Sequence, residues 1–223
     1  MSLDNFFEQL RALSLPNCFN PWAQRSVDEI PLQQEGGLPH VYRVGRLRRH
    51  FDCKPKLLLI GEAPGHLGCR ISGVPFTSER LLCEGTIPRI PACERITVHP
   101  RPLSEPSATI VWNCFAELGI SRDVVMWNAF PIHPHLPGQP RTNRTPTTQE
   151  MQACQYLLHS LLCAFDGVPV VAIGNKAAGE LEWLKDNQLL VSMGVCYKTV
   201  RHPARGGATL FRDGLRKIVE ELK

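Results

Sequence analysis

The chain has 223 residues, of which 43% are hydrophobic and 21% charged, and its formal net charge is +4 at pH 7. This length supports one substantial hydrophobic core, so we predict a single globular domain over residues 1–223. The mild charge does not by itself identify a nucleic-acid-binding protein, and no apolar run is long enough to span a bilayer.

The first 55 residues are predicted to form a largely irregular N-terminal segment. Apolar spacing indicates a short helix over residues 3–13, and the prolines and paired glycines between positions 16 and 37 indicate a surface loop. A basic run follows, and such runs are most often solvated faces of a protein. Its members are Arg43, Arg46, Arg48, Arg49, Lys54 and Lys56.

Four segments of strand length lie at residues 56–60, 124–127, 168–173 and 195–200, and the apolar runs of the first two are typical of buried strands. Helical patterns lie between them: one begins at Pro106, and one begins with a capping box of Thr147 and Glu150. Asn175 is predicted to cap the next helix, and residues 208–222 form the last. Helices between successive strands require parallel crossovers. The predicted fold is therefore a three-layer α/β/α sandwich around a short, mainly parallel four-stranded sheet.

Residues with functional side chains follow three of these strands. The sequence Gly61-Glu62-Ala63-Pro64-Gly65 follows the first strand, Asn128 ends the second, and His202 follows the fourth. The carboxyl ends of the strands are where open α/β sheets bind their ligands. Between the first two strands, residues 83–103 are rich in proline and are predicted to form a looped insert.

Several motifs in this order resemble those of the uracil-DNA glycosylase superfamily, and most closely those of its family 4. They are the Gly61 to Gly65 loop, Gly73-Val74-Pro75-Phe76, Asn128, Asn143-Arg144-Thr145-Pro146 and His202-Pro203-Ala204. The resemblance extends from about residue 56 to the C-terminus. It implies a uracil-DNA glycosylase-like fold and a repair enzyme that excises uracil, or a related deaminated base, from DNA by hydrolysing the N-glycosidic bond.

The resemblance assigns the base pocket to Gly61, Ala63, Phe76 and Asn128. An enzyme of this kind extrudes the target nucleotide and holds the base by stacking and by its Watson–Crick edge. Phe76 is the candidate stacking ring, and the Asn128 amide can pair with N3–H and O4 of uracil. The alternatives are an ordinary core phenylalanine and an asparagine that caps a loop.

Two residues are assigned to catalysis, Glu62 and His202. His202 can donate a hydrogen bond to uracil O2 as negative charge develops on the departing base. Glu62 can position a water molecule or stabilise the positively charged sugar. The alternatives are a turn histidine before proline and a carboxylate that caps the backbone N–H groups of its own loop.

The remaining motif residues are assigned to DNA contacts, with Arg144 and Arg205 predicted to reach phosphates. Arg205 stands where superfamily members insert a bulky apolar side chain into the duplex as a wedge. An arginine between small residues is a weaker wedge, and this favours single strands or unpaired bases as substrate. The full predicted DNA-contacting set is Pro64, Gly65, Asn143, Arg144, Ala204 and Arg205.

The cysteines depart from family 4, whose members hold an iron–sulfur cluster on four thiolates. The nine cysteines here include no Cys-x-x-Cys pair, and no thiol follows Asn128 closely. We therefore predict neither a cluster nor another metal or cofactor, since a cluster needs four ligands and no standard zinc spacing is present. The odd count favours reduced thiols and a cytoplasmic protein, nucleoid-associated if prokaryotic; a monomer with no membrane partner is expected.

Two further departures concern residues that act on the substrate in related enzymes. Ala63 stands where the best-known uracil glycosylases place a water-activating aspartate, and Gly65 stands where they use a tyrosine to exclude thymine. Two alternatives follow: either another residue, such as His66, rejects thymine, or the pocket accepts bases other than uracil. Two alternatives stay open: a noncatalytic binder of damaged or single-stranded DNA, and a small-molecule enzyme that uses the glycine loop for phosphate.

Overall fold

A computed structural model describes residues 3–30, 39–190 and 197–222 of the protein. Its helices are α1 (Leu3–Ala12), α2 (Pro39–Phe51), α3 (Cys69–Ser72), α4 (Glu79–Cys83), α5 (Pro106–Glu117), α6 (Thr148–Ala164), α7 (Asn175–Asp186) and α8 (Ala208–Glu221). Its strands are β1 (Cys18–Phe19), β2 (Leu57–Gly61), β3 (Val124–Asn128), β4 (His133–Pro134), β5 (Val170–Ile173) and β6 (Tyr197–Val200).

The central sheet has four parallel strands in the order β3-β2-β5-β6, as predicted. The register pairs Gly61 at the end of β2 with Asn128 at the end of β3. All residues of β2, β3 and β5 are buried, because helices cover both faces of the sheet. The short strands β1 and β4 form a separate antiparallel pair, which the sequence pattern did not predict.

Alternate residues of each strand point into two hydrophobic clusters, one on each side of the sheet. Side chains of α1, α2, α6 and α7 pack on one face, against Leu58, Ile60 and Trp127. Side chains of α4, α5 and α8 pack on the other face, against Leu59 and Met126. The predicted three-layer arrangement is therefore confirmed.

The N-terminal segment is more regular than predicted, since residues 39–51 form helix α2. Its helical pattern was missed because two of its buried side chains are polar. His50 accepts a hydrogen bond from the backbone N–H of Met126 at 2.8 Å, and Arg43 is paired with Glu29. Because Arg43 is buried, the basic run is not a solvated face along its whole length.

Element boundaries also differ from the predictions in places. Strand β5 begins at Val170 rather than at residue 168, and residues 195–196 of the fourth predicted strand lie outside the described residues. Gly174, with φ 86°, is the N-cap of α7, so the capping role predicted for Asn175 is wrong. The Thr147 and Glu150 capping box is confirmed.

The insert at residues 83–103 carries no helix longer than a turn and is attached to the domain by a buried carboxylate. Glu79 accepts hydrogen bonds of 2.6–2.8 Å from the backbone N–H groups of Ile96, Thr97 and Leu103 and from the Thr97 hydroxyl. None of the helices over the described ranges is long and apolar enough to cross a membrane.

Candidate active site

A cavity of about 500 Å³ opens at the carboxyl ends of the central strands. Every predicted site residue except Gly61 lines it, and Gly61 lies directly behind Phe76 and Asn128. The predicted lining residues are Glu62, Ala63, Pro64, Gly65, Phe76, Asn128, Asn143, Arg144, His202, Ala204 and Arg205. The structure therefore brings together side chains that are separated by up to 143 positions, from Glu62 to Arg205.

Phe76 is held against the end of β2 in a strained backbone conformation. A Cβ atom at Gly61 would lie 2.5 Å from Phe76 Cε2 and 2.9 Å from Asn128 Oδ1, so a larger residue at position 61 would displace both. Phe76 has φ 49°, a left-handed conformation that bulky residues rarely adopt. Strain of this kind persists where the surrounding structure fixes it, and it concentrates at functional sites.

The Asn128 side chain lies at the wall of the cavity and has a free hydrogen-bonding amide. The residue is only 3% exposed. Within residues 3–30, 39–190 and 197–222, its side chain makes no hydrogen bond. A buried amide normally has partners, so this one is suited to bind a ligand that offers both a donor and an acceptor.

His202 presents a donor to the cavity. Its Nδ1 accepts a hydrogen bond from the backbone N–H of Ala204 at 3.1 Å, which leaves the proton of the neutral ring on Nε2. Burial lowers the pKa of His202, and the positive charge of Arg201 lowers it further. The ring centroid lies 6.1 Å from that of Phe76. A neutral imidazole with an Nε2–H donor therefore stands beside the aromatic ring.

The loop after β2 is fixed by contacts on both sides. The backbone N–H of Phe130 donates to the Glu62 carbonyl at 2.9 Å, and a ring nitrogen of His133 lies 2.8 Å from the Pro64 carbonyl. Asn143 Oδ1 accepts from the backbone N–H of His66 at 2.9 Å. Asn143 therefore ties two loops of the cavity together, whatever it also does toward DNA.

A family model described as the uracil DNA glycosylase superfamily matches residues 49–222. The chain belongs to the uracil-DNA glycosylase superfamily. A search of curated proteins finds no match. Among solved structures, SMUG2 from Pedobacter heparinus is similar, with a TM-score of 0.61 and 14% sequence identity, over 98% of this chain and 97% of that chain. This likeness supports the fold, and members of the superfamily are DNA glycosylases.

Arg144, one of the predicted DNA-contacting residues, is paired with another side chain of the protein. The Arg144 guanidinium forms two hydrogen bonds with the Glu150 carboxylate, at 2.7 and 2.6 Å. This pairing outweighs the cost of burial and lowers the pKa of Glu150 to about 2. The phosphate contact of Arg144 stays a prediction, and the observed role of its guanidinium is to hold the loop to α6.

Two exposed arginines at the rim have no such partner. Arg201 and Arg205 line the mouth of the cavity, and neither forms an ion pair with a described carboxylate. Arg205 has φ 53°, so its loop presents the side chain from a left-handed residue. These two arginines are the cations best placed to meet a phosphate backbone.

The sequence patterns missed further residues of the cavity wall: Cys69, Glu105, Ser107, Thr145 and Arg201. Glu105 is the most informative of these, because burial raises its pKa to about 7. The only sequence signal for Glu105 is its position before Pro106 at the start of a helix, where an acidic residue commonly serves as a cap. Its side chain caps nothing here.

The residues do not fit the iron–sulfur cluster of family 4. Over the described ranges, no group of three or more His, Cys, Asp or Glu side chains is arranged to hold a metal ion. Cys69, the thiol in the cavity wall, is fully buried, and burial raises its pKa well above the ordinary value. A protonated thiol is a poor metal ligand, so no catalytic step is assigned to a metal.

Proposed function

We propose that the protein is a monofunctional DNA glycosylase that flips uracil, or a related deaminated base, out of DNA and hydrolyses its N-glycosidic bond. The observation that carries the proposal is the convergence of Glu62, Phe76, Asn128 and His202 on one cavity with exposed arginines at its rim. A cytoplasmic location and a monomeric state belong to the same proposal. A reducing compartment is supported by the free thiols of Cys18, Cys53, Cys69, Cys83, Cys93, Cys114 and Cys154.

Base selection depends on the orientation of the Asn128 amide. Its carbonyl accepts from uracil N3–H and its NH₂ group donates to O4, while the base stacks on Phe76. Cytosine offers an amino group and an unprotonated N3 at the same positions, so both hydrogen bonds would be lost. With the amide in this orientation, burying two unmatched polar groups costs several kcal/mol, roughly, and this cost disfavours cytosine.

Bond cleavage moves the electron pair of the C1′–N1 bond onto the base. The Nε2–H of His202 donates to uracil O2, where that negative charge accumulates, and the neutral state of the ring is maintained by its lowered pKa. Glu62 also lines a small cavity next to α6 and α7. We propose that the sugar of the flipped nucleotide lies on this side of Glu62. Its carboxylate stabilises the oxocarbenium-like sugar or positions the attacking water.

The test is excision from an oligonucleotide that carries a single uracil, with alkali used to cut the abasic product. We expect cleavage by the wild type and a rate at least 100-fold lower for His202→Ala, since loss of such a donor costs roughly 10²–10³ in rate. Asn128→Ala should abolish excision, and Asn113→Ala is its control, because Asn113 is an exposed amide on α5 outside the cavity.

Two outcomes would count against the proposal. Intact strands after incubation of uracil, hypoxanthine and xanthine substrates would refute it. Salt-dependent retention of single-stranded or damaged DNA with no base release would support the noncatalytic binder instead.

A further inference from the structure

Glu105 brings a carboxyl group into the cavity from the end of a helix. It is the residue before α5, yet its side chain makes no cap hydrogen bond and turns toward the glycine loop. A Cβ atom at Gly65 or at Gly68 would overlap a carboxylate oxygen of Glu105. Only residues without side chains at these two positions leave room for the carboxyl group.

The Glu105 carboxyl lies on the base-binding side of the cavity. Leu59 of β2 and Met126 of β3 point into the cluster that contains Phe76 and α5, and Gly61 and Asn128 have the same alternation. Glu105 enters from that same side, through α5. Glu62, by contrast, also lines a small cavity next to α6 and α7 on the other side of the sheet.

No donor within the described parts of the chain satisfies this carboxyl group. Burial is the cause of its raised pKa, about 7, so a large fraction carries a proton at neutral pH. Its titratable and charged neighbours in the cavity wall are Glu62, Cys69, Arg144, Arg201, His202 and Arg205. Arg144 is neutralised by Glu150, and the other two arginines lie at the exposed rim.

A bound uracil leaves Glu105 without a partner. The polar atoms of uracil other than the glycosidic nitrogen are O2, N3–H and O4, and the proposed contacts of Asn128 and His202 use all three. A deaminated purine such as hypoxanthine presents the same N–H and carbonyl pattern on one edge. It adds a second ring whose N7 accepts a hydrogen bond. A cavity of about 500 Å³ has room for this second ring.

Building on the proposed function, we propose that, when the base is a deaminated purine, protonated Glu105 is the general acid that donates its proton to N7. In this step the electron pair of the C1′–N9 bond moves into the purine and the proton moves from Glu105 to N7. Water forms the new bond to C1′ and releases a proton to solvent. The free base leaves neutral and Glu105 is left ionised.

The test compares single-turnover excision of hypoxanthine and uracil from the same oligonucleotide between pH 5.5 and 8.5. We expect the wild type to excise hypoxanthine with a rate that falls as pH rises through about 7, where Glu105 loses its proton. In Glu105→Gln, which can donate a hydrogen bond but not a proton, the hypoxanthine-to-uracil rate ratio should fall roughly 100-fold. Glu117→Gln, at the exposed end of the same helix, should keep the wild-type ratio.

Other outcomes would overturn the inference. A wild type that excises uracil but neither hypoxanthine nor xanthine refutes the inference and leaves the proposed function intact. A Glu105→Gln variant that loses both activities equally, or hypoxanthine excision that rises with pH, shows that Glu105 activates water or supports the loop. Failure to excise any base refutes the proposed function itself.

Discussion

Glu79 and Glu105 flank the insert, and their carboxyl groups differ in the hydrogen bonds that they receive from the protein. Glu79 is fully buried and accepts four hydrogen bonds from Ile96, Thr97 and Leu103. Glu105 has no donor over the described ranges, and burial raises its pKa to about 7. A carboxylate with all its hydrogen bonds made by the protein holds the fold, whereas one left without them is available to a ligand.

The region beneath the insert and the cavity differ in the same way, in whether their polar groups have partners within the protein. Beneath the insert, Asp28 accepts from Arg70 and Arg141, and these bonds outweigh burial and lower its pKa to about 2. Next to it, the side chains of Glu29 and Arg43 are each 1% exposed and form an ion pair. Buried charges in this region are paired, while the cavity keeps polar groups free. If this division holds, substitutions in the two regions should affect stability and base excision differently.

Removing one member of the buried ion pair should have the largest effect on stability. Arg43→Met leaves Glu29 buried without its partner, and we expect unfolding free energy to fall by about 3–5 kcal/mol. Arg48→Met on the same helix is the matched control, because Arg48 and its partner Asp4 are 47% and 78% exposed. Urea unfolding of the control should differ from wild type by about 1 kcal/mol or less. Equal losses in the two variants would show that burial does not distinguish these pairs.

Substitution of glutamate by glutamine should affect stability in opposite ways at Glu79 and, at high pH, at Glu105. Glu79→Gln places an NH₂ group against backbone donors and should lower stability by about 2 kcal/mol. Because the pKa of Glu105 is raised on folding, its contribution is fully present below its unfolded pKa and is lost as pH rises through about 7. Glu105→Gln should therefore become more stable relative to wild type between pH 5 and pH 8. Unfolding at both pH values measures this, and a pH-independent difference would contradict it.

A single methyl group should distinguish a close-packed site from an open helix surface. Gly61→Ala brings a Cβ atom against Phe76 and Asn128, and the overpacking should cost about 1–3 kcal/mol and slow base excision. Gly45→Ala in α2 meets nothing within 4 Å and should raise stability by about 0.5–1 kcal/mol, with excision unchanged. Thermal unfolding and excision rates test the pair. Normal excision by Gly61→Ala would show that Phe76 need not be held in place.

The smallest effect concerns His202. Arg201→Ala removes a positive charge and should raise the pKa of His202 slightly, while burial, the larger cause, keeps it below the ordinary value. Proton NMR titration of the imidazole measures the change. Arg216→Ala is the control, since Arg216 pairs with Asp213 on the exposed side of α8. An unchanged His202 pKa in Arg201→Ala would mean that burial alone sets it.

The strand-end residues were predictable because local patterns carry them. Apolar runs determine where β2 and β3 lie, and parallel pairing in register places Gly61 opposite Asn128. The motif Gly73-Val74-Pro75-Phe76 then supplies the ring that packs on Gly61. The fold and the clustering of the motif residues therefore followed from the sequence.

Helix α2 shows where local pattern fails. Arg43 and His50 look like surface residues by type, and only contacts with Glu29 and Met126, 14 and 76 positions away, explain their burial. Arg144 is a second example: its motif predicts a phosphate contact, but its guanidinium is paired with Glu150. Which charges are neutralised depends on contacts between side chains, which spacing along the sequence does not give.

By itself, the sequence determined the layered fold, the edge of the sheet that carries the site and most of the residues in the cavity wall. These depend on hydrophobic periodicity and on short motifs, which are properties of neighbouring residues. Only the tertiary structure decided which polar groups stay free. Glu105 became a candidate acid because two glycines of another loop make room for it and no donor reaches it, and desolvation depends on everything packed around a group.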